Sequence, residues 1–243
     1  MDNPTAAKNI IKSLDLTSLN HNDTTESIIS LCKRAQTPYG TSAAICIYPE
    51  YISTALKEIT QGVKIATVVN FPDGSANIKE TEKEIKKALK LGANEIDAVL
   101  PYQNLINEDE ETCLSFLQMC RSACGDKCLK IIIESGELKT TNLIKKATQM
   151  CIDCGANFVK TSTGKTKISA TPEAANAILE VIKASGKDVG FKASGGIKTT
   201  EDAKKYLTLA NSIKGPSWPT PNHFRIGASS VLTDLLKTIE QGY

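Results

Sequence analysis

The segment FVKTSTGKT, Phe158 to Thr166, carries Lys160 and Lys165 within a run that otherwise reads as a short buried strand. A second such run, GFKASGG, holds Lys192, and EIDAVLPY holds Asp97. Strand side chains alternate with period two, so Lys160 shares a face with Phe158 and Ser162, opposite Val159 and Thr161. If Val159 packs against helices, Lys160 points inward. The same alternation turns Lys192 and Asp97 inward and sends Phe191, Ile96 and Ala98 outward. The plain structural reading is a buried Lys–Asp ion pair with the third charge at the rim. An additional buried ammonium without a partner should lose its proton or be expelled.

That points to amine chemistry. An unperturbed lysine, with a pKa of ~10.4, is almost entirely protonated at pH 7. Bringing it near 7 takes ~3 units, or ~4 kcal/mol. A second ammonium ~4 Å away, at an effective dielectric of ~20, supplies about that much. Lys192 beside Lys160 would then suffice to make Lys160 a Schiff-base former. Asp97 opposes the shift electrostatically, and its expected part is to relay protons to the carbinolamine and a substrate hydroxyl.

A second theme is anion binding. TGK (163–165) and SGGIK (194–198) follow the fifth and sixth strand candidates, and GASS (227–230) leads into the last helix. Glycines let backbone N–H groups approach an anion, and Ser229 and Ser230 stand at a helix N-terminus, where donors are free. Lys165 can turn its charge toward a phosphate. Other motifs fail on residues. GKT at 164–166 ends like a P-loop, but Val159 stands where that motif needs glycine. No G-x-G-x-x-G occurs, and His21 and His223 are the only histidines, each read as a loop residue.

The elements that must position these groups alternate. Strand candidates are 42–48, 64–71, 94–102, 129–135, 158–163, 190–194, 224–228 and a weak NSIKG at 211–215. Helix candidates lie near 50–61, 78–91, 108–124, 141–154, 172–185, 200–210 and 229–241. Thr171-Pro172-Glu173 is a helix start, Gly186 closes that helix, and Gly92 and Gly155 stop two others. Such alternation predicts a parallel sheet covered by helices. Eight units in 243 residues favour an α/β fold closed into a (β/α)8 TIM barrel, one domain over residues 1–243. An extra N-terminal helix, about 4–14, with a second at 24–35, would precede the first strand and could cap the barrel's lower end. In such a barrel chemistry sits at the C-terminal ends of strands, where Cys46 joins Asp97, Lys160 and Lys192.

Composition sets the remaining bounds. The net charge is only +2, with lysines and glutamates interleaved in KETEKEIKKALK (79–90), a solvated helix face rather than a nucleic-acid groove. No apolar stretch approaches the ~18 residues of a membrane span. The polar N-terminus has no signal-peptide core, so a cytoplasmic protein is expected. Of the eight cysteines, Cys120, Cys124 and Cys128 repeat every four residues and Cys151 and Cys154 form a C-x-x-C. Within apparent helices they read as small buried hydrophobes, with a metal or redox site as the alternative.

Taken together, LDLTSLN, AAICIYP, NFPDGS, EIDAVLPY, KIIIESGEL, FVKTSTGK, GFKASGG and FRIGASS resemble one family, deoxyribose-phosphate aldolase, a class I aldolase. The blocks span Leu14 to Ser230 in the family's order, and KTSTGK with KASGG is highly specific. The resemblance implies a barrel that reversibly cleaves 2-deoxy-D-ribose 5-phosphate to D-glyceraldehyde 3-phosphate and acetaldehyde, without metal or other cofactor, in deoxyribose phosphate catabolism. By motif, Lys160 matches the Schiff-base lysine, Lys192 the lysine that perturbs it, and Asp97 the proton-transfer carboxylate. Asp15 and Thr17 match polar residues near the sugar hydroxyls, and Cys46 a cysteine lining the site. Gly164, Lys165, Gly195, Gly196, Gly227, Ser229 and Ser230 match the phosphate loops. Lys198 stands where many members carry arginine, which keeps the charge and loses the bidentate fork. Tyr243 matches a C-terminal tyrosine that assists proton transfer in some members. A homodimer is expected. Two other readings are a phosphosugar isomerase with a carboxylate or cysteine base, and a non-catalytic sugar-phosphate sensor.

Overall fold

Short runs that can be buried on both faces become strands when helices are available to cover them. In the computed structural model, which describes residues 1–242, eight such runs form the barrel: β1 (Leu14–Thr17), β2 (Ala44–Ile47), β3 (Lys64–Val69), β4 (Glu95–Val99), β5 (Cys128–Ile132), β6 (Phe158–Lys160), β7 (Gly190–Ser194) and β8 (Phe224–Ala228). They pair in parallel in chain order, and β8 closes on β1 with Leu14 opposite Ile226 and Asp15 opposite Gly227. A two-stranded hairpin, Gln36–Thr37 with Gly40–Thr41, lies outside the barrel.

The α-helices among the described residues are α1 (Asn3–Lys12), α2 (Thr25–Arg34), α3 (Ile52–Glu58), α4 (Ile78–Lys90), α5 (Tyr102–Ile106), α6 (Glu110–Cys124), α7 (Ser135–Leu138), α8 (Thr141–Asp153), α9 (Pro172–Ser185), α10 (Thr200–Lys214) and α11 (Val231–Gln241). Their ends follow local chemistry. Thr171 accepts a hydrogen bond from Ala174 N, with Pro172 at the first helical position, and Gly186 closes α9 in the left-handed region. No helix of the described residues is long and apolar enough to cross a membrane.

Several expectations about the elements are corrected. NSIKG is not a strand; residues 211–214 are the last turn of α10, and Gly215 follows with φ 94°. Tyr206, Leu207 and Ala210 are buried and Ile213 packs beside them at helical spacing, which carries the helix on. The eighth strand is instead LDLT at the N-terminal end of the barrel. It hides in the sequence because two of its four residues, Asp15 and Thr17, are polar and the helical pattern of α1 runs into it. The N-terminal helix stops at Lys12 and packs against α10 and α11, burying Ala6, Ala7, Ile10 and Ile11. The helix expected at 24–35 is α2, the crossover between β1 and β2 rather than an extra element. Lys160 and Lys192 therefore sit on the sixth and seventh strands, and Thr161–Thr163, expected within a strand, belong to the loop after β6.

Outward strand residues such as Ile45, Ile96, Val159, Phe191 and Phe224 pack under the helices. Burying each is worth roughly 1.5–3 kcal/mol, and this shell holds the barrel together around an interior of mixed character. Beside β2 and β3 the interior is apolar, with Ala44, Cys46, Ala66 and Val68 in one cluster with Leu19. Around the remaining strands it is charged. Cys32, Cys46, Cys113, Cys120, Cys124 and Cys151 are buried and Cys128 and Cys154 half-buried, all as free thiols. Cys120, Cys124 and Cys151 pack in helices as expected, whereas Cys128 heads β5 and Cys154 follows α8.

Candidate active site

Strand alternation brings seven charged side chains into the barrel: Asp15 from β1, Glu95 and Asp97 from β4, Lys130 from β5, Lys160 from β6, Lys192 from β7 and Arg225 from β8. Every one of these side chains is at least nine-tenths buried. Moving an ion out of water costs several kcal/mol even after relaxation, so such a set survives only as a paired network. Asp97 is its hub. Its Oδ2 accepts from Lys160 Nζ at 2.8 Å and Lys192 Nζ at 2.7 Å, and its Oδ1 from Lys130 Nζ at 2.9 Å. Lys192 also donates to Asp15 Oδ2 at 2.5 Å. Arg225 donates to Asp15 Oδ1 at 2.6 Å and to both oxygens of Glu95, and Lys130 reaches Glu95 Oε2 at 2.5 Å. Gly227 makes room for this packing, since a Cβ there would lie 2.9 Å from Lys192 Cε.

The network holds three carboxylates (Asp15, Glu95, Asp97) against four cations (Lys130, Lys160, Lys192, Arg225). The imbalance appears in the protonation of each group. Burial acts first to lower the Lys160 pKa; Asp97 opposes it, Lys192 adds to it, and the net shift is downward. Burial also disfavours charge on Lys192, but Asp15 and Asp97 outweigh it and its pKa is raised. Lys130 is raised in the same way, with Asp97 and Glu95 overcoming its burial. Asp97 is held well below the usual carboxylate range, since Lys130, Lys160 and Lys192 together overcome its burial. Lys192 thus acts on Lys160 in the expected direction, though not by itself. Burial is the larger cause, and Lys192 is itself clasped by two carboxylates.

Above this floor a cavity opens at the C-terminal ends of the strands. Of the seven network side chains, Lys160 alone lines it. Thr17 lines it from β1, Gly164 and Lys165 from the loop after β6, Gly195 and Gly196 from the loop after β7, and Gly227, Ser229 and Ser230 from β8 and its end. All of these were expected at the site. Gly195 and Gly196 have φ of 87° and 78°, a backbone that other residues rarely adopt, and a Cβ at Gly195 would lie 2.5 Å from Ser169 Cβ. Ser230 precedes α11 and makes no side-chain cap bond, so the first-turn N–H groups of that helix face the mouth uncapped by it. Lys165 spans the rim, with Nζ donating to the Leu19 carbonyl at 2.6 Å. Lys198 also lines the cavity.

Asp15 and Cys46 do not line this cavity. Asp15 is fully buried with both oxygens taken by Lys192 and Arg225, so it belongs to the charged floor, and Thr17 Oγ1 donates to its carbonyl at 2.8 Å. Cys46 lies buried near Lys192, Asp97 and Lys160, and burial pushes its thiol pKa up. His21 is exposed, and His223 stacks on Trp218 and bonds Asp188 at 2.7 Å. Tyr243 lies outside the described residues.

Lys130, Glu95 and Arg225 escaped the sequence reading because polar groups were sought late in strands and these stand early. A charged residue at an inward position of an otherwise apolar run was the available signal. Asn20 lines the cavity unforeseen, while Thr163 and Ser194 do so from the two loops expected to bind an anion. Glu134, with φ 49°, was also missed; its carboxylate accepts from Thr163 N and Oγ1 and from Thr166 Oγ1, which pins the loop carrying Gly164 and Lys165.

Solved structures place this geometry among known folds. A protein from Coccidioides immitis, provisionally described as a deoxyribose-phosphate aldolase, is 29% identical over 96% of this chain and 86% of its own, with a TM-score of 0.84. An aldolase designated QR15 is 26% identical over 96% of this chain and 97% of its own, with a TM-score of 0.82. A tetrameric deoxyribose phosphate aldolase from Aeropyrum pernix shares the fold, with a TM-score of 0.77 at 22% identity over 100% of this chain and 98% of its own. The sequence matches the DeoC/LacD family aldolase description over residues 9–236, a span that contains all eight barrel strands and every charge of the buried network. This chain belongs to the DeoC/LacD family of aldolases.

Proposed function

We propose that the protein is a class I aldolase that reversibly cleaves 2-deoxy-D-ribose 5-phosphate into D-glyceraldehyde 3-phosphate and acetaldehyde. The observation that carries this reading is Lys160: a buried amine of lowered pKa, and the one member of the charged network that lines the cavity. Its neutral form attacks the C1 carbonyl of the open-chain sugar, and the carbinolamine takes up a proton and loses water to give a protonated imine, the electron sink for the next step. A base takes the proton of the C3 hydroxyl, the C2–C3 bond breaks, and its electrons pass into an enamine while the three-carbon aldehyde leaves. Protonation of the enamine carbon and hydrolysis then release acetaldehyde and restore Lys160. Asp97, bonded to both Lys160 and Lys192 beneath the cavity, is the group to which we assign the relay of these protons, through water rather than by direct contact with the sugar.

The phosphate fits the far wall, where Gly195, Gly196 and Ser230 present backbone donors beside Lys165 and Lys198. Replacing Ser230 with Asp sets a carboxylate at that helix start. Ser230→Asp should weaken kcat/KM for 2-deoxyribose 5-phosphate at least about 100-fold, a cost of roughly 3 kcal/mol. Unphosphorylated 2-deoxyribose should lose far less. Steady-state assay of both substrates measures the ratio, and equal losses would contradict the phosphate placement.

A further inference from the structure

Three members of the buried network, Lys130, Glu95 and Arg225, have no task in the chemistry above. None lines the cavity, yet Lys130 is fully buried. Asp97 stands between two lysines, taking Lys130 on Oδ1 at 2.9 Å and Lys160 on Oδ2 at 2.8 Å. What Lys130 draws from that carboxylate is unavailable to hold a proton on Lys160. Glu95, in turn, is tied to Lys130 at 2.5 Å and limits how strongly Lys130 acts.

We propose that Lys130, with Glu95 as its counter-charge, is a positioning residue that sets the charge balance of the buried network and so keeps the Lys160 amine nucleophilic. Asp15, Glu95 and Asp97 match Lys130, Lys192 and Arg225 one for one, and Lys160 is the remainder. Its proton is the one whose loss leaves the network neutral. The groups facing Lys160 are Asp97 from β4, Lys192 from β7 and Cys46 from β2. Glu134 faces it from the loop after β5, with its oxygens held by Thr163 and Thr166 and no ion pair among the described residues. Lys130 acts through Asp97, and Asp15, Glu95 and Arg225 act through Lys192 and Lys130. Coulomb's law fixes the signs: removing a buried cation favours the protonated amine, and removing a buried anion disfavours it.

This inference rests on the proposed imine at Lys160 and is tested by its pH dependence. Full-length wild type, Lys130→Met, Glu95→Gln and the double variant are treated with acetaldehyde and cyanoborohydride across a pH series. The rate of adduct formation at Lys160 is followed by peptide mass spectrometry. Lys130→Met should move the acidic limb up by about one to two pH units, which is a ten- to hundredfold loss at neutral pH. Glu95→Gln should move it down, and the double variant should return it toward the wild-type position. Damage to the fold alone would slow trapping at every pH without opposing shifts. Unshifted limbs, or shifts of one sign, in folded variants overturn the proposal. If Lys130→Met does not fold, Glu95→Gln decides, and an unshifted limb there overturns it too. Wild type that carries no adduct at Lys160 refutes the proposed function and this inference with it, a result distinct from normal trapping with no shift among the variants.

Discussion

Lys160→Met should lose at least about 10⁴-fold in kcat for 2-deoxyribose 5-phosphate cleavage while keeping, or raising, the melting temperature. The activity loss follows because no other amine lines the cavity near the hub carboxylate: Lys130 and Lys192 are fully buried. The stability follows from the same geometry. Methionine approximates the volume of the lysine stem and deletes the unmatched cation, leaving Lys130, Lys192 and Arg225 against Asp15, Glu95 and Asp97. Removing one partner of a buried pair costs about 3–5 kcal/mol where it leaves a charge uncompensated, but Asp97 keeps Lys130 and Lys192 as partners after this substitution. Activity assay and thermal unfolding of one variant measure both halves. Full activity would favour an isomerase that needs no imine, although the buried Cys46 thiol, its pKa pushed up, is poorly suited as that base. Ligand binding without turnover in the wild type would point to a sensor.

Lys192→Leu should also lose activity, but less of it, and should lose stability where Lys160→Met keeps it. It strips Asp15 and Asp97 of a shared partner bonded at 2.5 and 2.7 Å, so a loss of about 3–5 kcal/mol is expected in denaturant unfolding. Lys192 has a raised pKa in the folded state, so its contribution is fully present below the ordinary lysine value and is lost only as pH rises through its folded value. The stability gap to wild type should thus persist across neutral pH. Lys192 also acts to lower the Lys160 pKa, and deleting it raises that value. At neutral pH less of the amine is then neutral, and imine formation should slow about 100-fold, with partial recovery in alkaline buffer. An unchanged pH–rate profile would contradict the electrostatic part given to Lys192.

Most of this organisation is legible in the sequence for specific physical reasons. Apolar β-branched runs such as KIIIES and KIATVV, separated by capped amphipathic helices, permit few architectures besides a closed parallel barrel. Alternation within FVK, GFK and EID then places Lys160, Lys192 and Asp97 on the inner face, where the structure has them. What stayed hidden involves polar residues inside strands. β1 was lost because Asp15 and Thr17 are its inward residues, and NSIKG took its place because a five-residue run with the single apolar residue Ile213 cannot distinguish a strand from a last helical turn. Lys130, Glu95 and Arg225 were passed over because single side chains do not disclose their partners. Only closure of the barrel, which sets β8 beside β1 and draws Arg225 to both Asp15 and Glu95, reveals that the charges form one network. Asp15 shows the same limit: the motif match placed it near the sugar, and the geometry places it under Lys192.

The central claim is that the Lys160 amine forms the imine. Borohydride reduction of the wild-type protein in the presence of acetaldehyde, followed by proteolysis and peptide mass mapping, tests it most directly. The expected result is a single two-carbon adduct on the peptide containing FVKTSTGK, at Lys160, with loss of activity in step with labelling. An adduct on Lys192, Lys130 or Lys165 instead, or no adduct while the enzyme still turns over, would contradict it.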